Sequence, residues 1–204
     1  MRNKTSQELF WEGQFGQEYT ERNDVDARDR LPFFKTVIER TYGVNSILEV
    51  GANRGHNLRA IRLLSNNYKL CGIDVNQQAV AELSKTKDVH AMQSSIQDYD
   101  PGQQFDLVFS CGVLIHLCPE DLPHVYKKLF QLSARYILIN EYFNPTPVEL
   151  NYRGHDGRLF KRDFASELIE NNDGKLAVVD YGFLWKRVSP SWDDTTWFLL
   201  EKTP

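Results

Sequence analysis

Residues 47–57 constrain the fold most, because an apolar run there ends in a glycine-containing turn and continues with helical spacing. The run is typical of a strand that is buried on both faces of a parallel sheet. Gly51 and Gly55 lack a Cβ, so the chain can turn sharply and pass close to a ligand. Leucine and isoleucine then recur on one side of a helix that begins near His56. A strand, a glycine turn and a helix in this order predict a nucleotide-binding corner of an α/β sheet.

A second apolar run, residues 70–76, contains the acid that indicates which nucleotide is bound. Asp74 lies about 25 positions after Glu49, close to the offset of about 20 at which a carboxylate accepts ribose hydroxyls. A dinucleotide needs a second glycine where the backbone approaches its pyrophosphate, and this chain has Asn53 there. S-adenosylmethionine has no pyrophosphate, so a side chain is acceptable at that position. The pattern therefore favours S-adenosylmethionine over a nicotinamide cofactor.

The acid in the first strand, the glycine turn and the acid ending the second strand resemble the class I S-adenosylmethionine-dependent methyltransferases. This resemblance implies a Rossmann-like α/β fold with a seven-stranded sheet, helices on both faces and an N-terminal helical lid. We expect a single domain over residues 1–204. Residues 1–42 would form the helical cap or lid, and residues 43–204 the Rossmann-like core.

Composition limits the partners and the compartment. The chain of 204 residues has a formal net charge of −4, which argues against a nucleic-acid partner. No apolar run is long enough to span a membrane, and the N-terminus shows no secretory signal. The three cysteines form no C-x-x-C pair, so we expect reduced thiols, a cytoplasmic location and no metal site. The oligomeric state does not follow from the sequence.

Further elements complete the predicted cofactor site. Residues 89–92 and 105–111 read as the third and fourth strands, and their carboxyl ends should face the ligand. An aromatic cluster near the N-terminus either caps the core or folds over the cofactor as a lid. Ile96 either packs on the purine or belongs to the core. The expected cofactor-binding residues are Tyr19, Glu49, Gly51, Asn53, Asn57, Asp74, Val75, Ser95, Ile96, Cys111 and Gly112.

The C-terminal half is predicted to hold a fifth strand over residues 136–142, preceded by a helix that starts at residues 119–121 with acids in its first turn. Residues 144–158 carry proline and glycine and read as a loop. An apolar residue at every fourth position predicts a helix over residues 159–170. Residues 176–185 and 196–201 are expected to form two final antiparallel strands.

Methyl transfer from a sulfonium is an in-line displacement that depends on positioning and, for a hydroxyl or protonated amine, on a base. The candidate catalytic residues are His116, Glu141 and His155. A neutral imidazole suits proton abstraction near pH 7, although His116 could equally be a structural cap. Glu141 ends a strand at the functional edge, and His155 lies in a glycine-bearing loop.

Residues 152–162 are locally basic in an acidic chain. They read either as a solvated loop and helix start or as a clamp for a carboxylate or phosphate of the substrate. On the second interpretation Tyr142, Tyr152, Arg153 and Arg158 bind the substrate.

Residues 10–16, 49–57, 110–116 and 152–164, together with Tyr19 and the Arg22-Asn23 pair, also resemble a narrower family, the pseudaminic acid biosynthesis-associated methylases. This resemblance implies a bacterial cytoplasmic methyltransferase that acts on a small molecule. The acceptor would be a sugar or nucleotide-activated sugar linked to nonulosonate surface glycans. O-transfer is favoured over N-transfer.

Two other functions compete with this one. The first is a binding protein that holds S-adenosylmethionine without chemistry. The second is an NAD-dependent sugar-modifying enzyme. Asn53 and the lack of a Tyr-x-x-x-Lys pair argue against this second function.

Overall fold

A computed structural model describes residues 2–203 and shows an α/β fold built on a seven-stranded sheet. Met1 and Pro204, the ends of the expected domain, lie outside the described residues. The strands are β1 (Ser46–Val50), β2 (Lys69–Asp74), β3 (Val89–Gln93), β4 (Phe105–Cys111), β5 (Ser133–Glu141), β6 (Val148–Tyr152), β7 (His155–Lys161), β8 (Leu176–Leu184) and β9 (Thr195–Lys202). The helices are α1 (Ser6–Glu12), α2 (Gln14–Arg22), α3 (Leu31–Glu39), α4 (His56–Leu64), α5 (Gln77–Leu83), α6 (Leu122–Leu132) and α7 (Phe164–Asn171).

The strand order places the ligand crevice. The sheet runs β3-β2-β1-β4-β5-β9-β8, with β1 to β5 parallel and β9 antiparallel between β5 and β8. Because the order reverses between β1 and β4, the carboxyl ends of these strands open a crevice between diverging connections. The predicted seven-stranded fold with a terminal antiparallel pair is confirmed.

Two apolar layers bury the two faces of the sheet. On one face, Ile47 and Phe109 pack with Phe34 of α3 and Leu58 of α4. On the other face, the remaining strand residues pack with α6 and α7. Both faces of the central strands are therefore removed from water, which is the main stabilising term for such a sheet. Among the described residues, no helix has the length and apolar character needed to cross a membrane.

The N-terminal helices are fastened to the sheet edge by polar contacts. Thr5 and Glu8 form a reciprocal capping box that starts α1. At the other end of α1, Asn76 Nδ2 donates to the carbonyl oxygens of Trp11 at 3.1 Å and Glu12 at 3.2 Å. These bonds satisfy carbonyl groups that a helix end leaves free, so α1 is fixed beside the end of β2.

The largest difference from prediction lies in residues 144–170. The expected loop is a hairpin, in which β6 and β7 pair antiparallel around Arg153 and Gly154. Both turn residues have positive φ, 52° and 89°, as a two-residue hairpin turn requires. The predicted helix over residues 159–170 begins only at Phe164, after Asp163 caps it. The four-residue apolar spacing spans a strand end and a helix start, and both bury their apolar residues.

A smaller correction concerns α6. Its predicted acids, Glu120 and Asp121, precede the helix, which starts at Leu122 and has no acid in its first turn.

We expect Gly16→Ala to disturb the packing of α1 on α2. A Cβ on Gly16 would lie 1.7 Å from the carbonyl oxygen of Trp11, so the two helices would have to separate. Overpacking of this kind costs about 1–3 kcal/mol. The free energy of unfolding in urea should fall by about that amount, whereas Gln17→Ala on the exposed side of α2 should leave it unchanged. Equal stability of both variants would contradict the close packing.

Candidate active site

A cavity of about 710 Å³ opens at the carboxyl ends of β1 and β4. It collects most of the residues predicted from the sequence. Those that line it are Tyr19, Glu49, Gly51, Asn53, Asn57, Asp74, Val75, Ser95, Ile96, Cys111, Gly112, His116, Tyr142, Tyr152 and Arg153. Three other predicted residues, Glu141, His155 and Arg158, are not part of its lining.

Asp74 is oriented by the backbone around it. Its two carboxylate oxygens accept hydrogen bonds from the amides of Asn53 and Asn76, each at 2.8 Å. Asn53 reaches this position with a left-handed φ of 45°, which asparagine tolerates better than most residues. Gly51 is required nearby, because an added Cβ would lie 2.4 Å from Val113 Cγ2. The carboxylate is thus fixed in the cavity wall and retains lone pairs that can accept two hydroxyls.

A buried carboxylate and a buried guanidinium are joined by one amide. Asn57 Nδ2 donates to Glu49 Oε1 at 2.6 Å, and Arg30 Nη1 donates to Asn57 Oδ1 at 2.7 Å. Glu49 is only 2% exposed, and burial raises its pKa to about 8. Its second oxygen, Oε2, has no hydrogen-bond partner within residues 2–203. Because Glu49 belongs to the cavity lining, this unpaired oxygen is a candidate acceptor for a ligand donor.

Arg30 is a site residue that the sequence did not reveal. Its guanidinium lies 4.0 Å from the centroid of the Trp192 ring, and Nη2 donates to the Ser191 carbonyl at 2.9 Å. It forms no ion pair with any carboxylate in the described part of the chain, and burial lowers its pKa. Its partners are 27 and 161 positions away, so no local pattern could have identified it.

At the other end of the cavity, Arg2 contacts residues of the cavity lining. Arg2 forms an ion pair with Glu8 and donates to Ser95 Oγ and Asp98 Oδ2, each at 2.9 Å. The Ser95 hydroxyl also donates to Asp98 at 2.9 Å. Ser95 therefore lies where the sequence predicts, but its hydroxyl is already engaged. Glu8, which also lines the cavity, was not predicted.

His116 has a defined tautomer. Its Nδ1 lies 2.6 Å from the Arg158 carbonyl oxygen, which can only accept a hydrogen bond, so Nδ1 carries the hydrogen. Burial lowers the pKa of His116 to about 4, so the ring is neutral near pH 7. Trp11 and Tyr152 pack against the ring, with centroids 4.6 Å and 4.8 Å away. Nε2 is then the unprotonated nitrogen, the form that a general base requires.

Glu141 is placed differently from the prediction. Its carboxylate accepts from the Ser110 hydroxyl at 3.0 Å and from the backbone amides of Val113, Leu114 and Ile115 at 3.1–3.4 Å. It is 2% exposed, lies outside the cavity, and burial raises its pKa to about 7. Glu141 therefore holds the turn after β4, whose residues line the cavity, and does not reach a substrate itself.

His155 and Arg158 also lie outside the cavity. The His155 ring packs edge-on against Phe10 and Phe15, at centroid distances of 5.0 Å and 5.5 Å. The Arg158 guanidinium lies 4.9 Å from the Phe10 ring and donates to the Ser6 hydroxyl at 3.2 Å. Both side chains fasten the β6–β7 hairpin to α1. Residues 155–161 form a strand where a loop to residue 158 and a helix from residue 159 were expected, and this difference is the reason for the placement.

The remaining predicted substrate residues stay at the cavity. The Tyr142 hydroxyl donates to Asp193 Oδ2 at 2.9 Å, and burial raises the pKa of that tyrosine. Burial likewise raises the pKa of Tyr19 to about 12, so its hydroxyl stays protonated. The guanidinium of Arg153 is exposed, 5.9 Å from the Tyr152 ring.

We expect Glu141→Gln to destabilise the fold. The amide NH₂ would face backbone N–H donors, so at least one buried donor would lose its acceptor at a cost of about 1–3 kcal/mol. Urea denaturation measures this loss, with the exposed Glu170→Gln as the control. Unchanged stability of Glu141→Gln would contradict its role in holding the turn.

The His116 ring should remain neutral from pH 8 down to about pH 5, because its pKa in the folded state lies near 4. Nitrogen and carbon NMR of labelled histidine should show the Nδ1–H form throughout, with His116→Asn used to assign the signal. Protonation of this ring between pH 6 and 7, or an Nε2–H tautomer, would disprove the arrangement.

The chain is similar to known methyltransferases in part of its sequence and in its fold. Residues 48–135 match the family model described as a methyltransferase domain, which covers less than half of the chain. No curated protein sequence matches this chain.

Several solved structures share the fold. Magnesium protoporphyrin IX methyltransferase from Synechocystis PCC 6803, with bound S-adenosylmethionine, has a TM-score of 0.69 at 11% identity and covers 100% of both chains. A 1,6-didemethyltoxoflavin-N1-methyltransferase from Burkholderia thailandensis has a TM-score of 0.68 at 14% identity over 93% of this chain and 83% of that one. A methyltransferase from Leishmania major reaches 0.70 at 16% identity over 97% and 87%. The predicted fold, that of the class I methyltransferases, is thus confirmed, and the match of residues 48–135 to the methyltransferase-domain model agrees with the predicted enzyme class.

Proposed function

We propose that this chain transfers a methyl group from S-adenosylmethionine to a small polar acceptor in the cavity at the ends of β1 and β4. One observation carries the proposal. Within residues 2–203, Glu49 has an unpaired buried oxygen and Arg30 has a buried charge without a carboxylate partner, and Asn57 bridges the two side chains. A carboxylate and a guanidinium that are joined through one amide complement the ammonium and the carboxylate of an α-amino acid. Such a group forms the methionine end of the cofactor.

The other end of the cofactor fits residues on β2 and β3. Asp74 would accept the ribose hydroxyls, as its fixed carboxylate allows. Ser95 and Ile96 follow β3 in the cavity wall, beside the place for the adenine. Binding an ammonium group would favour the ionised form of Glu49, whose pKa is otherwise raised to about 8. Cofactor binding should therefore release a proton near neutral pH.

The cofactor supplies a methyl group that its positive sulfur already activates. An oxygen lone pair of the acceptor forms the new C–O bond while the electrons of the C–S bond go to sulfur. Nε2 of His116 takes the proton that the acceptor hydroxyl loses. The walls of the cavity hold the acceptor in line with the methyl, which supplies much of the rate enhancement in such a displacement. Because a base with a pKa of about 4 accepts a proton less readily than one with a pKa near 7, its contribution should be smaller than the roughly 100-fold typical of a general base.

The acceptor is a sugar or a nucleotide-activated sugar linked to nonulosonate surface glycans such as pseudaminic acid. The sequence resemblance of residues 10–16, 110–116 and 152–164 supports this substrate class. The guanidinium of Arg153 at the cavity could meet an anionic group on such a molecule. The reaction takes place in the cytoplasm, and O-transfer is the expected outcome.

Calorimetric titration with S-adenosylhomocysteine and 5′-methylthioadenosine tests the cofactor assignment. The second compound lacks the amino-acid end. Glu49→Gln and Arg30→Gln should each weaken S-adenosylhomocysteine binding about tenfold, or ~1.4 kcal/mol, and leave methylthioadenosine binding unchanged. Asp74→Asn should weaken both, because both compounds carry the ribose.

Arg28→Gln, in the same turn as Arg30 but exposed, is the matched control. Failure of the wild-type chain to bind S-adenosylhomocysteine would overturn the proposed function. Equal losses for the two compounds with Glu49→Gln would overturn only the assignment of the methionine end.

A further inference from the structure

Three polar side chains on the β5–β9 side of the cavity each have an oxygen without a hydrogen-bond partner among residues 2–203. These atoms are Asn140 Oδ1, Ser191 Oγ and Thr195 Oγ1. All three residues line the cavity, and none was predicted as a site residue. Asn140 is 1% and Thr195 6% exposed. Bulk solvent therefore does not replace the missing partners.

An unpaired buried oxygen lowers the stability of the folded state unless a ligand supplies the missing hydrogen bond. A buried polar group that loses water without gaining a partner bears its full desolvation penalty. Native proteins avoid this, so each exception calls for an explanation. The three oxygens belong to residues on one side of one cavity, and a polar ligand that bonds to all three would account for them together.

Two residues of this wall, Asn140 and Thr195, lie on other strands than the proposed cofactor residues Asp74 and Glu49. Asp74 ends β2 and Glu49 belongs to β1, whereas Asn140 belongs to β5 and Thr195 begins β9. The strand order β2-β1-β4-β5-β9 therefore places β4 between the two groups. With neighbouring strands about 4.8 Å apart, Asn140 lies two strands from Glu49, and Thr195 lies one strand further.

The segment that carries Ser191 is held in place. Arg30 donates to the Ser191 carbonyl at 2.9 Å and stacks on Trp192, which is itself buried. On the solvent side, Asp193 accepts from Lys186 Nζ at 2.7 Å and from Tyr142 at 2.9 Å. These contacts hold the connection between β8 and β9, which contributes Ser191 to the cavity lining, in a fixed position.

We propose that Asn140, Ser191 and Thr195 form the acceptor subsite and bind a hydroxyl-rich group of the substrate, the hydroxyls of a saccharide. Two hydroxyls that both donate and accept, together with an amide oxygen that accepts, complement neighbouring hydroxyls, which also do both. An apolar acceptor would leave all three oxygens unpaired and would be rejected for that reason. This inference rests on the proposed function and specifies the substrate class of that site.

Thr195→Val and Ser191→Ala, alone and combined, test the subsite. The affinity for S-adenosylhomocysteine should stay within about twofold of wild type. The melting temperature should stay equal or rise, because an unpaired buried oxygen is removed. Thr20→Val is the matched control, since the buried Thr20 hydroxyl donates to the Gly16 carbonyl at 2.9 Å, and this variant should melt at a lower temperature.

Ligand binding completes the test. Saturation-transfer NMR in the presence of S-adenosylhomocysteine would use N-acetylneuraminate and UDP-N-acetylglucosamine as a free acidic sugar and a nucleotide-activated sugar. Wild type should bind at least one of them, and the combined variant should bind it at least tenfold more weakly.

Three outcomes would overturn the subsite while leaving the proposed function intact. Thr195→Val could melt at a lower temperature, like Thr20→Val, which would give the hydroxyl a structural role. The variants could lose S-adenosylhomocysteine binding, which would place the residues in the cofactor site. Wild type could bind neither saccharide. Failure of wild type to bind S-adenosylhomocysteine would instead overturn the proposed function.

Discussion

The arrangement of the site depends on a carboxylate buried inside the sheet. Glu49 belongs to β1 beside the point where the strand order reverses, and almost none of its surface is exposed. An ionised group is costly there, which is why its pKa is raised. Asn57, in the first turn of α4, supplies a single donor and leaves one oxygen unpaired. The fold therefore leaves one oxygen of this carboxylate without a partner among residues 2–203, as the proposed role in cofactor binding requires.

Glu141, two strands away from Glu49, is a buried glutamate whose carboxylate is fully hydrogen-bonded. Its carboxylate is as deeply buried as that of Glu49, and its pKa is raised for the same reason. Yet it accepts four hydrogen bonds, three of them from the turn after β4. A fully satisfied carboxylate stabilises a loop, whereas a half-satisfied one facing a cavity can bind a ligand. Partners, rather than burial, distinguish the two roles.

The sequence predicts the sheet and its cofactor edge well because both depend on short-range pattern. Apolar runs, Gly51 and Asp74 identify β1, β2 and the turn between them without any long-range information. The β6–β7 hairpin was missed because the prolines and glycines of residues 144–158 indicated a loop, and because the apolar residues from Phe160 onward keep helical spacing across the end of β7. Arg30 and Thr195 were missed because their roles arise only when segments distant in sequence meet at the cavity. The placement of His155 against α1 was unpredictable for the same reason.

Strand order then relates these parts to chemistry. Going from β3 to β9, the cavity wall changes from Ser95 and Asp74, through Glu49, to Asn140 and Thr195. A cofactor with a nucleoside at one end and an amino acid at the other matches the part of the wall from Ser95 to Glu49. The part with Asn140 and Thr195 then remains for the proposed acceptor. Since α1 and the β6–β7 hairpin are fastened together beside Trp11 and His116, the proposed base lies next to both of them. The order of the strands thus brings the proposed cofactor residues and the proposed acceptor residues to one cavity, which His116 also lines.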